Sequence, residues 1–332
     1  MTTRIPSKDR LLKLISQFKK VRALVVGDVI LDHYIRGTAD RLSPEAPVPV
    51  VKAESQEHFL GGASNVAHNI TSLGAKASIC GVSGKDSYAG LLESLLRKRK
   101  ISSHMMISDA TRPTTLKTRV VAQRQQAVRI DWESSQFLSP KISKKITSLI
   151  KKNIDRFDVV IIEDYGKGVV NPNLLKELVR ICKRNKKIIT VDPKEEHLDY
   201  YKEVTALTPN LKEAEYAAGF KVRSKNDIAK VAQVLLKRLS PQALLLTLGD
   251  RGMRLFLKNG KSFYLPTYAL EVFDVSGAGD TVIAVFSLGL ALGASFLEAA
   301  SLANFAAGIV VGRLGVAVTN PSELRKRIAN HP

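Results

Sequence analysis

Cysteine is nearly absent from this chain. Its two thiols, Cys80 and Cys182, have no neighbours at metal-ligand spacing, so a disulfide scaffold and a cysteine-rich metal site are both excluded. Isolated thiols of this kind fit buried positions in a reducing, cytoplasmic protein. Long apolar runs are also missing: the longest are broken by Gly, Lys or Arg, and none reaches the length of a membrane span. Residues 1–20 are basic but carry helical spacing (Leu11, Leu12, Leu14, Ile15, Phe18), without the unbroken apolar core of a signal peptide. Neither an internal repeat nor a linker is evident. The expected organisation is therefore one domain over residues 1–332, with 45% hydrophobic residues to build its core.

Negative charge is scarce. Lys and Arg number 51 against 31 Asp and Glu, a net charge of +20. The cations are dispersed, with clusters at 8–20, 97–100, 141–152, 180–187 and 325–327, and no aromatic-rich RNA motif accompanies them. This pattern reads as a solvated basic surface that attracts anionic small molecules, with no membrane and no nucleic acid as partner. A scaffold that binds nucleic acid through that surface is the competing reading.

What is present is a rhythm of short apolar runs and helical patterns. The runs cover 21–27, 77–82, 159–162, 188–191 and 243–247; helical spacing fills 63–73, 88–98, 173–183 and 225–239. Such alternation predicts an α/β fold, a doubly wound and mostly parallel sheet with helices on both faces. Asn259-Gly260 between 253–257 and 262–265 predicts an antiparallel hairpin. Two segments break the rhythm, about 35–59 and 115–133, where alternating residues predict strands outside the main sheet.

The strongest chemical signal is Asp274-Val275-Ser276-Gly277-Ala278-Gly279-Asp280, which runs directly into an apolar helical stretch. A small-residue turn at a helix start aims N–H groups at an anion. Asp280 beside it suits a base that takes a proton from a hydroxyl undergoing phosphorylation, and Gly277, Ala278 and Gly279 would face the developing charge. A simple helix cap is the alternative for Asp280. A second motif, Gly61-Gly62-Ala63-Ser64-Asn65-Val66-Ala67, opens another helix.

Together these two motifs resemble the PfkB, or ribokinase-like, family of sugar kinases. The resemblance implies ATP and Mg²⁺ as cofactors, with the out-of-sheet strands forming a lid that pairs two subunits into a homodimer. It implies that Asp32, Gly61, Gly62 and Asn65 hold the sugar, with Asp28 either joining them or capping a turn. Asn210 and Glu213 would place the phosphates and, through water, the metal, while also matching a helix capping box. Lys194 would reach ATP phosphates or lie on the surface. Thr247, Gly249 and Gly252 correspond to a nucleotide-side turn, and Asn304 to a position near adenine.

Further segments are similar to the heptose-7-phosphate kinase branch of that family. They are Arg41-Leu42-Ser43-Pro44-Glu45-Ala46-Pro47-Val48-Pro49-Val50, Lys117-Thr118-Arg119-Val120 with Arg129-Ile130-Asp131, and Asp164-Tyr165-Gly166-Lys167-Gly168. That likeness implies a phosphorylated sugar as acceptor, reacting at its anomeric hydroxyl in a pathway to ADP-heptose and lipopolysaccharide core. Another sugar, phosphosugar or nucleoside is the alternative acceptor. Arg119, Arg124, Arg129 and Lys167 are the candidate phosphate ligands, with a solvated or dimer-interface role as the alternative for each arginine. Arg119 and Arg129 share strand parity and would face one side in the absence of a bulge. The chain carries no second catalytic segment after the kinase, so a separate adenylyltransferase is expected as pathway partner. Glu195-Glu196 after Lys194, where relatives usually have Gly, departs from the pattern.

Overall fold

A computed structural model describes residues 6–331 apart from 124 and 270. Helix α1 (Lys8–Gln17) precedes strand β1 (Arg22–Gly27) and two long strands, β2 (Val29–Leu42) and β3 (Pro49–Gly62). Then come α2 (Ala63–Ser72), β4 (Lys76–Cys80), the short β5 (Val82–Ser83), α3 (Ser87–Lys98), β6 (Ile107–Ser108), β7 (Leu116–Ala122) and β8 (Gln125–Trp132). The middle of the chain holds α4 (Pro140–Asn153), β9 (Val159–Glu163), α5 (Pro172–Arg184), β10 (Ile188–Asp192) and β11 (Ala206–Leu207). After α6 (Leu211–Ala218), α7 (Lys225–Leu239) and β12 (Ala243–Thr247), the hairpin β13 (Met253–Leu257) and β14 (Ser262–Leu265) leads into α8 (Ala278–Ala291), α9 (Phe296–Val310) and α10 (Pro321–Ala329).

The main sheet has eight strands in the order β14-β13-β12-β11-β10-β9-β1-β4, and every neighbouring pair from β12 to β4 is parallel. Alternate strand residues feed two separate cores. Ala23, Val25, Val159 and Ile161 pack with α1, α2, α3, α8, α9 and α10, whereas Leu24, Val26, Val160 and Ile162 pack with α4, α5, α6 and α7. A strand buried on both faces reads as a continuous apolar run, which is how 159–162 and 243–247 appear in the sequence. The helices begin where local chemistry directs. Asn171 caps α5 by accepting from the Leu174 N–H at 3.0 Å, with Pro172 at the first helical position. β11 has two residues, too few for periodicity to reveal, and was not anticipated.

The out-of-sheet strands form a four-stranded lid, β3-β2-β7-β8. The lid starts earlier than residue 35. β1 stops at Gly27, and β2 leaves the main sheet at Val29, so Asp32 belongs to the lid and not to the end of the first strand. Among the described residues no helix is long and apolar enough to cross a membrane.

Helix α2 links lid and core and carries a partly buried histidine, His68, at its middle. Burial, and then the neighbouring Arg99 guanidinium, push the His68 imidazole down to about 4 from its ordinary 6.5. The unfolded chain therefore binds the extra proton first, and this group's contribution to stability fades as pH falls from 6.5 towards 4. His68→Gln should flatten the loss of stability across that window in urea titrations at stepped pH; an unchanged slope would show that His68 does not govern it.

Candidate active site

The parallel register sets three strand ends side by side. Glu163 at the end of β9 is the register partner of Gly27 on one side and of Asp192 at the end of β10 on the other. Ligands of open α/β sheets bind at such carboxyl ends. Two cavities meet here. One, about 260 Å³, is lined by Glu163, Asp192, Lys194, Asn210, Glu213 and Gly279 among others. The second, about 180 Å³, lies under the lid between Asp32, Gly61, Gly62, Asn65, Lys117 and Arg119. Tyr165, Gly277 and Asp280 border both. A larger cleft of about 790 Å³ lies at the opposite strand ends beside Arg22 and Lys76, but no carboxylate lines it.

Asp280 sits in the first turn of α8 and is buried. Its two carboxylate oxygens accept separately, one from Asn65 Nδ2 at 2.5 Å and one from the Tyr165 hydroxyl at 3.1 Å. Burial raises its carboxyl to about 6, opposed by those two donors and reinforced by Asp32. A carboxylate tuned in this way can take a proton near neutral pH. Gly277, the residue before α8, has φ of +75°, and a Cβ there would meet Asn65 Nδ2 at 2.9 Å. Gly277 and Gly279 line the cavity, and neither N–H has a protein partner among the described residues. Ala278 differs from expectation: its N–H donates to the Val275 carbonyl at 3.2 Å, so it is no donor to a ligand.

In the lid cavity, Asp32 pairs with Arg119 at 2.5 Å. A Cβ on Gly61 would stand 2.4 Å from the Asp32 carboxylate, which explains glycine at that position. Asn65 Oδ1 is buried without a hydrogen-bond partner, an acceptor available to a ligand hydroxyl. Arg119 and Arg129 are direct cross-strand partners on β7 and β8, and the one register shift lies beyond them, after Val120. Arg129 is half exposed and holds Asp131 at 3.0 Å; it does not line the cavity. Lys167 lines neither cavity; it pairs with Glu133 at 2.7 Å, which also holds the cavity-lining Lys117 at 2.8 Å. Arg124 lies outside the described residues.

Asp28 is not a cavity residue. Its carboxylate is buried and accepts from the backbone N–H groups of Tyr165, Lys167 and Val169 at 2.9, 3.0 and 3.1 Å. Burial, and then Asp164, raise it to about 6, against the pull of those three donors. It is a loop anchor, closer to the turn-cap alternative than to a sugar ligand.

On the other side, Asn210 and Glu213 do form the capping box of α6, at 3.0 and 2.8 Å, and both still border the cavity. Lys194 also lines it, drawn towards Glu195 at 2.7 Å. Thr247 ends β12 beside Asn210. Gly249 and Gly252 shape the turn that follows, where a Cβ on Gly252 would meet the Leu265 carbonyl oxygen at 2.3 Å. Asn304 is buried, and its amide is taken by the Pro266 carbonyl at 2.6 Å. Thr247, Gly249, Gly252 and Asn304 line neither cavity.

Four residues of the site escaped the sequence reading as individual groups: Tyr165, Glu163, Asp192 and Lys117. Glu163 and Asp192 stand at strand ends, which is the one signal that marks them. Glu163 is fully buried, and neither of its carboxylate oxygens has a partner. One oxygen from each of Glu163, Asp192 and Asp280 falls within a 4.8 Å group. Burial drives the Glu163 and Asp192 carboxyls well above their ordinary range and lifts Glu213 to about 7. Uncompensated buried carboxylates of this kind fit a divalent cation that takes oxygen ligands.

The pfkB family carbohydrate kinase model matches residues 21–323. The chain belongs to this family. A bifunctional protein HldE from Desulfatibacillum aliphaticivorans is 43% identical over 318 residues, and one from Geobacter sulfurreducens is 42% identical over 304. These alignments cover 96% and 92% of the chain but only 65% and 62% of the relatives' own length. A ribokinase from Arabidopsis thaliana, solved with ribose and ATP, shares the fold with a TM-score of 0.74 at 19% identity, over 94% of this chain and 99% of that one.

Asp28→Ala should leave three N–H groups, one buried and two part-buried, without their acceptor and cost roughly 2–5 kcal/mol of stability. Chemical denaturation would measure this. A loss below about 0.5 kcal/mol would contradict the anchoring role.

Proposed function

We propose that this kinase transfers the γ-phosphate of ATP to the anomeric hydroxyl of D-glycero-β-D-manno-heptose 7-phosphate, producing the 1,7-bisphosphate that leads towards ADP-heptose. The observation that carries this reading is the lid cavity itself. A buried carboxylate and an unpartnered amide oxygen line it together with Lys117 and Arg119, and Lys167 is joined to Lys117 through Glu133. A sugar with a hydroxyl to activate at one end and a phosphate at the other matches that polarity. Relatives at about 40% identity and the heptose-kinase segments of the sequence support the same choice.

In this reading ATP occupies the cavity bordered by Lys194, Asn210 and Glu213, and the sugar lies under the lid. Asp280 accepts the hydroxyl proton as that oxygen bonds to the γ-phosphorus and the bond to ADP breaks. Gly277 and Gly279 present N–H groups to the negative charge of the transferred group. Glu163, Asp192 and Glu213 would hold Mg²⁺, which when bound supplies charge neutralisation to the phosphates. Asp32 and Asn65 orient the sugar hydroxyls, and the lid excludes water, the competing acceptor. The reading places the enzyme in the cytoplasm, where ATP and phosphosugars are found.

The lid's outer face supports a homodimer. Val128, Ile130 and Trp132 alternate on the edge strand β8, opposite Arg129 and Asp131, and are 48%, 46% and 60% exposed. An exposed apolar edge strand is a pairing surface, and a second copy of the same lid is its natural cover.

ATP consumption with heptose 7-phosphate, ribose, fructose 6-phosphate and adenosine tests the substrate; preference for another acceptor would overturn the heptose assignment. Asp280→Asn should keep nucleotide binding and lose at least about 1,000-fold in kcat, in line with general-base loss at an activated hydroxyl. Near-normal turnover would remove Asp280 from its role. For the dimer, Ile130→Asp should halve the mass by light scattering and red-shift the emission of Trp132, the only tryptophan of the chain. A wild type already monomeric at micromolar concentration would refute the pairing.

A further inference from the structure

Lys117, which lines the lid cavity, belongs to one alternating chain of charge with Lys167 and Arg129. Lys167 pairs with Glu133 at 2.7 Å, Glu133 with Lys117 at 2.8 Å, Lys117 with Asp131 at 3.0 Å, and Asp131 with Arg129 at 3.0 Å. Three cations thus share two carboxylates. Glu133 is the centre of interest. It uses one oxygen for each ammonium group, Oε1 for Lys167 and Oε2 for Lys117, as two oxygens of a phosphate would.

The three residues differ in how firmly they are held. Lys117 lies within the β7 ladder, beside the cavity. Lys167 has its backbone pinned at both ends, the N–H on Asp28 and the carbonyl accepting from Arg112 at 2.9 Å. Glu133 follows the last residue of β8 and takes no part in the strand ladder. The two cations are therefore preset, and the carboxylate between them is the part free to swing away. The pairs are also well shielded, with side-chain exposures of 13%, 18% and 25% for Lys117, Lys167 and Glu133, so solvent screening does not erase them.

We propose that Glu133 is an internal stand-in for the phosphate of the sugar substrate. It neutralises Lys117 and Lys167 until a phosphosugar enters and then yields both lysines to the phosphate. This deepens the proposed function and rests on it. Glu133 acts as a competitor that the phosphate must displace. A dianionic phosphate outcompetes a single carboxylate for two ammonium groups, whereas an uncharged sugar leaves both ion pairs intact. The same exchange releases the lid from the loop after β9, because Glu133 is a charged tie between them.

The test compares wild type with Glu133→Gln, which keeps size and removes charge. KM is measured with heptose 7-phosphate and with the unphosphorylated heptose, and inorganic phosphate binding is measured by calorimetry. Glu133→Gln should lower KM for the phosphosugar about tenfold and tighten inorganic phosphate by a similar factor, the effect of one charged competitor removed. KM for the unphosphorylated sugar should stay within about twofold. Glu133→Asp, too short to span both lysines, should shift in the same direction, and adding Lys117→Met to Glu133→Gln should abolish the gain. A KM that rises for both sugars would make Glu133 a direct sugar ligand and overturn the proposal, as would unchanged phosphate affinity in both variants. A wild type that uses no phosphosugar would sink the functional reading instead, with the phosphate titration still deciding the role of Glu133.

Discussion

The carboxylate of Asp28 is the constraint on which the site depends. It is buried where β1 gives way to β2 and holds three N–H groups of the loop after β9. Its own N–H donates to Glu163, and its carbonyl accepts from Ala63 at the start of α2. One residue therefore joins the end of the central strands, the helix that carries Asn65, and the loop that carries Tyr165 and Lys167. Burying a carboxylate is costly unless its lone pairs are filled, and here backbone donors fill them. The loop has no regular structure of its own, so its geometry is borrowed from Asp28 and from Asp164, which Tyr201 and His197 grip at 2.6 and 2.8 Å.

Around that anchor the molecule separates two kinds of charge. The inner floor gathers Glu163, Asp192, Glu213 and Asp280 with little cationic relief, a set whose mutual repulsion favours the folded chain less as the groups ionise. The rim under the lid instead alternates acid and base down to β8. An acidic floor suits a divalent cation that accompanies a nucleotide, and a rim of paired cations suits an anion able to exchange with a carboxylate. The basic surface outside both adds an attractive field for such ligands.

Much of the fold was legible because burial on both faces leaves continuous apolar runs, and β9, β10 and β12 are such runs. The hairpin was legible from Asn259-Gly260, and the lid from alternation that broke the βα rhythm. β11 was not, being two residues long, and the start of the lid was set too late, at about residue 35, because the apolar Val29–Leu31 lacks the alternation that marked the rest of β2. The motif residues Asp280, Gly277 and Gly279 were legible as a group. Ala278 was read with them, yet its N–H is spent inside the turn. Asp28 was read as a sugar ligand or a turn cap and Asn304 as a residue near adenine, and both bond backbone groups.

By itself the sequence determined the α/β layering, the lid as a separate sheet, and the family, because these rest on periodicity and on local turn chemistry. It also placed Asp280, the proposed base, at a helix start, since a helix N-terminus is a local object. Only the tertiary structure decided which carboxylates share the floor, that Tyr165 donates to Asp280, and that Glu133 bridges Lys117 and Lys167. Those relations depend on strand order and register, with β9 between β1 and β10 and the lid folded back over α8. Register is set by long-range packing of the two cores, and no spacing along the chain encodes it.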